Sequence, residues 1–203
     1  MNCPSCNWPL NQEIEENNIL ACEYCDSIIE NTWTVVEAIW EQSPFLDIPT
    51  SFEVMKDYPS NDPKNPLKEE IFIKWIVRYE YDWGYFDRFC IKTKTWETFY
   101  IEEDDWLRTL SKFLSSHKAD TDYTEYEAWQ SIEISWISYF ITESGYCTLD
   151  SMKGIFDQRI LPNTQIYYLD IIAKDSSMRI EYLKESNLVY MFSSHKAWKK
   201  IKK

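Results

Sequence analysis

Four cysteines near the start of the chain constrain its fold more than any other feature. They form two C-x-x-C pairs, Cys3 with Cys6 and Cys22 with Cys25, and fifteen residues separate the pairs. Two sulfurs on one tight turn can bind the same ion, and two such turns complete a closed tetrahedral site. The spacing C-x2-C-x15-C-x2-C is typical of four-thiolate zinc sites. The sequence therefore predicts one structural zinc ion, bound by these four cysteines, in a zinc ribbon over residues 1–33.

The residues around the cysteines favour zinc over redox chemistry. The residue after the second cysteine of a zinc knuckle often has a positive φ angle, which glycine adopts most easily and Asn or Asp next. Asn7 and Asp26 occupy these two positions. Neither pair opens a helix in a βαβ setting, as a thioredoxin-like dithiol would. A catalytic zinc needs an open coordination position, and four cysteines leave none.

Composition excludes several classes of enzyme. The 203 residues contain only three glycines, Gly84, Gly145 and Gly154, which lie far apart and form no phosphate-binding loop. Nucleotide-binding α/β folds are therefore not expected. The two histidines, His117 and His195, lie close to polar or basic stretches and offer little for histidine-centred catalysis. The sequence identifies a metal site and a fold type, but it identifies no reaction.

The charge of the chain is acidic and unevenly distributed. The formal net charge is −13, from 34 acidic and 21 basic residues. Five of the lysines lie in a C-terminal tail, residues 196–203, so the remainder has 16 basic against 34 acidic residues and a net charge of −18. Such a body repels nucleic-acid backbones and attracts basic protein surfaces or small cations.

The two ends of the chain differ in charge. Residues 1–33 contain six acidic residues and no Lys or Arg, so the ribbon is not expected to bind nucleic acid. The basic tail could contact anionic lipid at a membrane surface, or pair with the acidic body. The chain has no basic start followed by an apolar run, and its apolar stretches are far shorter than the roughly 20 residues of a spanning helix. A cytoplasmic protein without a transmembrane segment is the resulting expectation.

Alternating apolar residues predict strands over much of residues 34–203. Residues 71–81 alternate throughout, with all the odd-numbered apolar residues on one face, and Asp82-Trp83-Gly84 supplies a turn into a second strand. Three prolines between Asp57 and Glu70 predict an exposed linker. Further strands are predicted at residues 32–36, 85–93, 96–101, 132–140 and 165–172, with a hairpin formed by 178–182 and 188–192.

Only one helix is predicted. Apolar residues spaced three and four apart follow Asp104 and Asp105, which indicates a helix near residues 104–117 with an acidic first turn. The predicted fold class is mainly β, within α+β. A zinc ribbon precedes an antiparallel β-rich domain, residues 34–203, made of two barrel- or sandwich-like β units and one intervening helix.

Other candidate sites are weaker. Residues 120–122 are similar to the start of a calcium loop, but Glu125 stands where that loop requires glycine. The acidic run at residues 102–105 could supply paired carboxylates for acid–base catalysis, although a solvated helix start explains it more simply. Cys90 and Cys147 have no histidine nearby in sequence, which favours small buried side chains over nucleophiles.

Two aromatic-rich stretches resemble a known bacterial family. The first comprises residues 75–81 through 96–100, and the second comprises residues 161–170 followed by 178–182. Their order, over about residues 33–198, is similar to that of domain-of-unknown-function family 4178, whose members often carry an N-terminal zinc ribbon. The resemblance implies paired β units and an accessory role beside polyamine-synthesis or membrane-stress proteins. It implies no reaction, and no site residue beyond the zinc cysteines.

Three functions are compatible with these features. The first is a non-enzymatic, zinc-stabilised interaction or adaptor module for a protein with a basic surface, since 34 aromatic residues exceed what a core needs and Trp and Tyr are enriched at interfaces. This hypothesis expects partly exposed aromatic residues to form one contiguous patch. The second is an enzyme, or a binder of small cations such as polyamines, with carboxylates in an acidic cleft. The third is a nucleic-acid accessory protein that uses the ribbon or the tail, which the charge disfavours.

Overall fold

The structure is a computed structural model that describes residues 1–10, 19–22, 24–31, 36–40, 71–93, 95–104, 107–156 and 160–199. Within these residues the chain forms twelve β-strands and one 3₁₀ turn, Tyr123–Glu125. In chain order the strands are β1 (Ile19–Ala21), β2 (Ile28–Asn31), β3 (Val36–Trp40), β4 (Ile71–Tyr81), β5 (Gly84–Thr93), β6 (Thr98–Glu103), β7 (Leu107–Lys118), β8 (Ser131–Ile134), β9 (Ile137–Phe156), β10 (Gln165–Ala173), β11 (Ser176–Leu183) and β12 (Leu188–Lys199).

Eight strands close into an antiparallel barrel. Their order around the ring is β4, β5, β6, β7, β12, β11, β10 and β9, and β9 pairs with β4 to complete it. A ring in which every neighbour is antiparallel requires an even number of strands, and closure removes the unpaired edges that an open sheet would expose. The prediction of a mainly β fold with an antiparallel, barrel-like domain is confirmed.

The longest strand, β9, joins the parts of the molecule. Its 20 residues pair with β8 at the beginning, with β10 and β4 along the barrel, and with β1 at the end. Since β1 continues through β2 to β3, the cysteine-containing N-terminus and the barrel belong to one sheet. The predicted domain boundary between residues 33 and 34 lies outside the described residues.

Aromatic and aliphatic side chains fill the barrel. The interior cluster includes Tyr79 and Phe86, whose rings stack at 4.9 Å, and Tyr100 and Phe192, whose rings meet edge to face at 5.3 Å. A second apolar cluster lies on the outer face of β10, β11 and β12, where the 3₁₀ turn, β8 and the beginning of β9 form a covering layer. This layer positions the surface described below.

A chain of ion pairs crosses the barrel interior. Arg88 in β5 contacts Glu102, its register partner in β6, at 2.7 Å, and it also contacts Glu181 in β11. Arg179 in β11 contacts Glu102 and Asp170, each at 2.7 Å. Burial favours protonation of Glu102, but Arg179 and Arg88 outweigh it and hold its pKa below the ordinary value. Each guanidinium thus has two carboxylates, which is the condition under which a protein tolerates buried charge.

The helix predicted near residues 104–117 is wrong, because most of this segment forms β7. Leu110 packs in a cluster on the outer face of the barrel, whereas Phe113 packs inside it. The register with β12 skips Leu114, which indicates a bulge there. Because both faces of β7 bury apolar side chains and a bulge interrupts the alternation, apolar residues three and four apart imitate helical spacing.

The alternation at residues 71–81 correctly predicts β4, but its odd-numbered side chains do not share one face. The register with β5 shifts between Ile73 and Trp75. Ile73 packs against the outer cluster, and Trp75 packs inside the barrel. A bulge at Lys74 therefore transfers the following residues to the opposite face.

Several other strand predictions are confirmed, with corrections at their ends. The strand at 165–172 and the hairpin at 178–192 correspond to β10, β11 and β12. The predicted strand at 132–140 is instead a hairpin of β8 and β9, whose turn residues Ser135 and Trp136 have φ angles of 48° and 67°. Part of the basic tail, residues 196–199, pairs with β7 as the end of β12. Residues 32–35, the linker at 57–70 and residues 200–203 lie outside the described residues.

Gly154 makes room for the bulge in β4. Its φ angle is 106°, and a Cβ atom there would lie 2.5 Å from the Lys74 carbonyl oxygen and 2.8 Å from the Trp75 Cα. Gly154 is also the register partner of Trp75 in β4 and of Ala21 in β1. A residue with a side chain would therefore strain the backbone and separate β9 from β4 where β1 joins the sheet.

We expect Gly154→Ala to lower the free energy of unfolding by about 1–3 kcal/mol, because alanine is strained at this φ angle and its Cβ overlaps the Lys74 carbonyl. Guanidinium chloride unfolding measures the change. Gly84→Ala is the matched control, because the nearest atom to its new Cβ would be the Tyr81 hydroxyl at 3.6 Å. Equal stability of the two variants would contradict the role assigned to Gly154.

We expect Glu181→Ala to lower the free energy of unfolding by about 3–5 kcal/mol, because it leaves the buried Arg88 guanidinium partly uncompensated. The control is Glu97→Ala, which removes an ion pair with Lys112 whose side chains are 54% and 45% exposed. Such an exposed pair contributes about 0–1 kcal/mol. Denaturant unfolding of both variants is the measurement, and a neutral Glu181→Ala would show that the buried chain of charges does not hold the barrel together.

Candidate functional site

The structure brings together the four cysteines that the sequence predicts as metal ligands. The sulfur atoms of Cys3, Cys6, Cys22 and Cys25 all lie within 4.8 Å of one another. The Sγ atoms of Cys3 and Cys25 are 3.8 Å apart, and those of Cys6 and Cys22 are 3.9 Å apart. Four thiols this close are compatible with ligation of a single metal ion.

The two C-x-x-C pairs lie on turns with the same hydrogen bonds. In the first turn the amide of Cys3 donates to the Trp8 carbonyl, and the amide of Asn7 donates to the Cys3 carbonyl, both at 2.8 Å. In the second, Cys22 and Asp26 repeat these bonds at 2.9 and 3.0 Å, with Ser27 as the acceptor for Cys22. Asn7 and Asp26 have φ angles of 59° and 56°, so the predicted positive φ values are confirmed.

The short strands β1 and β2 connect the cysteine cluster to the barrel. Leu20 and Ile29 pack with the cysteines, whereas Ile19, Ala21 and Ile28 pack in the same cluster as the barrel interior. Alternation along a strand sends successive side chains to opposite faces, so each strand contacts the cysteines on one side and the barrel on the other. The position of the cysteines is thereby fixed relative to β9.

The thiols differ in acidity because their surroundings differ. Burial raises the pKa of Cys22. The backbone at Trp8 lowers the pKa of Cys6, but burial and the other three cysteines outweigh it and raise that pKa to about 12. For Cys25, burial is outweighed by hydrogen bonding with Ser27 and with the Cys6 and Cys22 thiols, and the pKa falls to about 7. The Cys25 thiol is thus more acidic than those of Cys6 and Cys22, so a cation that binds the sulfurs as thiolates would displace protons.

Two aromatic rings lie beside the cysteine cluster, one from each turn. Trp8 and Tyr24 stack with their centroids 4.6 Å apart and their planes within 6° of parallel. They remain 48% and 63% exposed, so the pair contributes to the surface of the ribbon.

Within the acidic run at residues 102–105, the structure separates Glu102 from Glu103. Glu102 lies inside the barrel between Arg88 and Arg179. Glu103 is on the opposite face of β6, where it accepts a hydrogen bond from Arg108 at 2.8 Å. The predicted solvated helix start is also wrong, because both glutamates belong to a strand and are buried or nearly so.

The remaining candidate residues have structural partners. Asp122 accepts hydrogen bonds from the Thr124 amide and hydroxyl and pairs with Lys184, so it caps the 3₁₀ turn. Cys90 and Cys147 are 1% and 3% exposed, as predicted, and burial raises the pKa of Cys147 to about 12.

An exposed apolar patch lies beside the hairpin of β8 and β9, on a residue before β8, one of β9 and one of β10. We define the patch as Trp129, Phe140 and Ile172, which are 79%, 40% and 47% exposed. The rings of Trp129 and Phe140 meet edge to face at 6.0 Å, and Phe140 is the register partner of Ile172. The turn of the hairpin adds Trp136, which is 94% exposed, and Ile137, which is 49% exposed. Sequence patterns do not single out these residues, because the sequence does not show which aromatic side chains the fold leaves exposed.

A groove of about 610 Å³ lies on the other side of the same hairpin. Its floor includes Met178 and Met191 on the outer face of the barrel, and one wall is Leu114 of β7. The opposite wall is β8, which contributes Ile132, Glu133 and Ile134. His117, which is exposed, lies at the groove rather than beside the cysteines.

Comparison with known proteins adds no relative. A scan against protein-family models and searches of curated proteins and of solved structures find no match for this chain. The resemblance to domain-of-unknown-function family 4178 therefore stays a prediction. No helix in the described part of the chain has the length and apolar character needed to cross a membrane.

Proposed function

We propose that this protein is a zinc-stabilised interaction module that binds a basic protein partner through the hairpin of β8 and β9. The observation that carries the proposal is the exposed apolar patch of Trp129, Phe140 and Ile172, with Trp136 on the adjoining turn. Water-exposed aromatic residues that contact one another are costly to keep unless they serve recognition, and tryptophan is prominent among residues that dominate binding energy.

The charge around the patch supports a basic partner. Residues 119–152, which include the hairpin, contain seven acidic residues and no Lys, Arg or His. A predominantly acidic segment beside an apolar patch favours a basic partner and speeds the encounter at low salt. The accessory role that the family resemblance implies is in keeping with a module that acts by contact.

The proposed metal is zinc, and its role is structural. Thiolate sulfurs at zinc bond lengths of about 2.3 Å lie about 3.8 Å apart in a regular tetrahedron. The Cys3–Cys25 and Cys6–Cys22 separations of 3.8 and 3.9 Å match this value, and all four sulfur atoms lie within 4.8 Å of one another. Four thiolates close the coordination shell, so zinc would hold the two turns together and would offer no position for a substrate.

We expect the purified protein to contain about one zinc ion per chain and Cys22→Ser to lose it, because three thiolates bind far more weakly than four. Elemental analysis measures the metal. Cys90→Ala is the control, because Cys90 is buried in the barrel and should leave the zinc content unchanged. Protein purified without chelator that lacks zinc would contradict the proposal.

The interaction surface is tested with a double variant, Trp129→Ser with Trp136→Ser. Its control is Trp83→Ser, which removes a tryptophan that is 93% exposed on a different turn. With a photo-crosslinking residue at Ser138, we expect wild-type protein and the control to form the same crosslinks in native-cell extract, and the double variant to lose most of them. The crosslinks should also weaken as salt rises to about 0.5 M. Unchanged crosslinking by the double variant would overturn the proposed function.

A further inference from the structure

The strand β8 has one edge that pairs with nothing in the described part of the chain. It pairs with β9 on one side only. The Ile141 amide donates to the Gln130 carbonyl at 2.8 Å, and hydrogen-bonded pairs alternate along an antiparallel ladder. The even-numbered residues of β8 therefore direct their backbone groups toward β9. Ser131 and Glu133 direct theirs away from β9, and Glu133 lines the groove.

The groove provides the floor that an added strand would cover. β8 and Leu114 of β7 both line the groove, and Leu114 is 50% exposed. Met178 and Met191 continue this apolar floor beneath β8. A strand placed beside β8 would thus gain backbone hydrogen bonds on one side and apolar contacts below, which is the combination used in recognition by strand addition.

The charges of the groove indicate which kind of peptide strand would bind beside β8. Asp120 and Glu133 are exposed acidic side chains of the groove, whose described lining includes His117 but no Lys or Arg. Both belong to the acidic segment of residues 119–152. A second copy of this chain would bring the same acidic segment against itself, which disfavours pairing of β8 with β8. An extended segment with alternating basic and apolar residues fits both the rim and the floor.

We propose that β8 binds its partner by strand addition, and that the partner segment is an extended peptide with alternating basic and apolar side chains. The proposal rests on the proposed interaction function and specifies how the partner is held. Apolar side chains of the segment face Leu114 and the two methionines, basic side chains face Asp120 and Glu133, and its backbone pairs with Ser131 and Glu133.

Synthetic heptapeptides test this with the full chain. The probe alternates Lys and Val, and three comparison peptides change one property each: a block isomer with four Lys followed by three Val, an alternating Glu and Val peptide, and an alternating Lys and Val peptide in which every backbone amide is N-methylated. Fluorescence titration measures affinity, and amide hydrogen exchange by NMR locates the site. We expect the probe to bind about ten-fold or more tightly than each comparison peptide, because each lacks the pattern, the charge or the backbone donors. We also expect slower exchange at Ser131 and Glu133.

Variants of β8 separate backbone pairing from charge. Glu133→Pro removes an outward amide without removing a bond to β9, which edge strands tolerate, and we expect it to weaken probe binding about ten-fold. Glu133→Gln keeps the backbone amide and removes only the charge, so it should weaken probe binding less than Glu133→Pro does. If Glu133→Pro fails to fold, the N-methylated peptide on wild-type protein decides the same point.

Two results would overturn the inference and leave the proposed function standing. One is equal binding of the alternating and block peptides, or no binding of the probe, while the tryptophan double variant still loses its crosslinks. The other is a dimer in sedimentation that Glu133→Pro converts to monomer, which would make a second copy the occupant of the edge. If the double variant keeps all its crosslinks and the probe still binds tightly, the apolar patch is not the interaction surface, and strand addition at β8 remains supported.

Discussion

The buried ion pairs between Arg88, Glu102, Glu181 and Arg179 are the interaction on which the barrel depends. They connect β5 and β6 to β11 across the interior, so two halves of the ring that are distant in sequence are held at a fixed separation. Removing one member leaves an opposite charge in a medium that cannot solvate it. The aromatic side chains around these charges pack between strands whose separation is fixed by the arginine–glutamate pairs.

The same barrel determines how the metal site is held. The cysteine turns have few apolar residues of their own, and β1 compensates by pairing with the end of β9 and burying Ile19 and Ala21 in the barrel cluster. Gly154 is the point at which β1, β9 and the bulge of β4 meet, because only a residue without a side chain fits there. A disturbance at the cysteines is therefore expected to reach β9 before any other barrel strand.

The proposed function uses the parts of the sheet that lie outside the closed barrel. The beginning of β9 extends past the ring, pairs with β8, and lies over the outer face of three barrel strands. This arrangement exposes an aromatic patch on one side and a strand edge above an apolar groove on the other. The hairpin between the two surfaces belongs to an acidic segment, so one partner with basic and apolar character suits them both.

The sequence by itself determined the local features: the four cysteines, the positive φ angles at Asn7 and Asp26, most strands, and the hairpin of β11 and β12. Each depends on residue spacing or on the backbone preference of a few neighbours. Tertiary structure alone decided which face of each strand is buried and which charged side chains pair with one another. Leu110 and Phe113 imitate a helix because both faces of β7 are buried, and Glu102 and Glu103 part to opposite sides of β6. Which side is interior follows from closure of the ring, and closure depends on pairings between strands far apart in the chain.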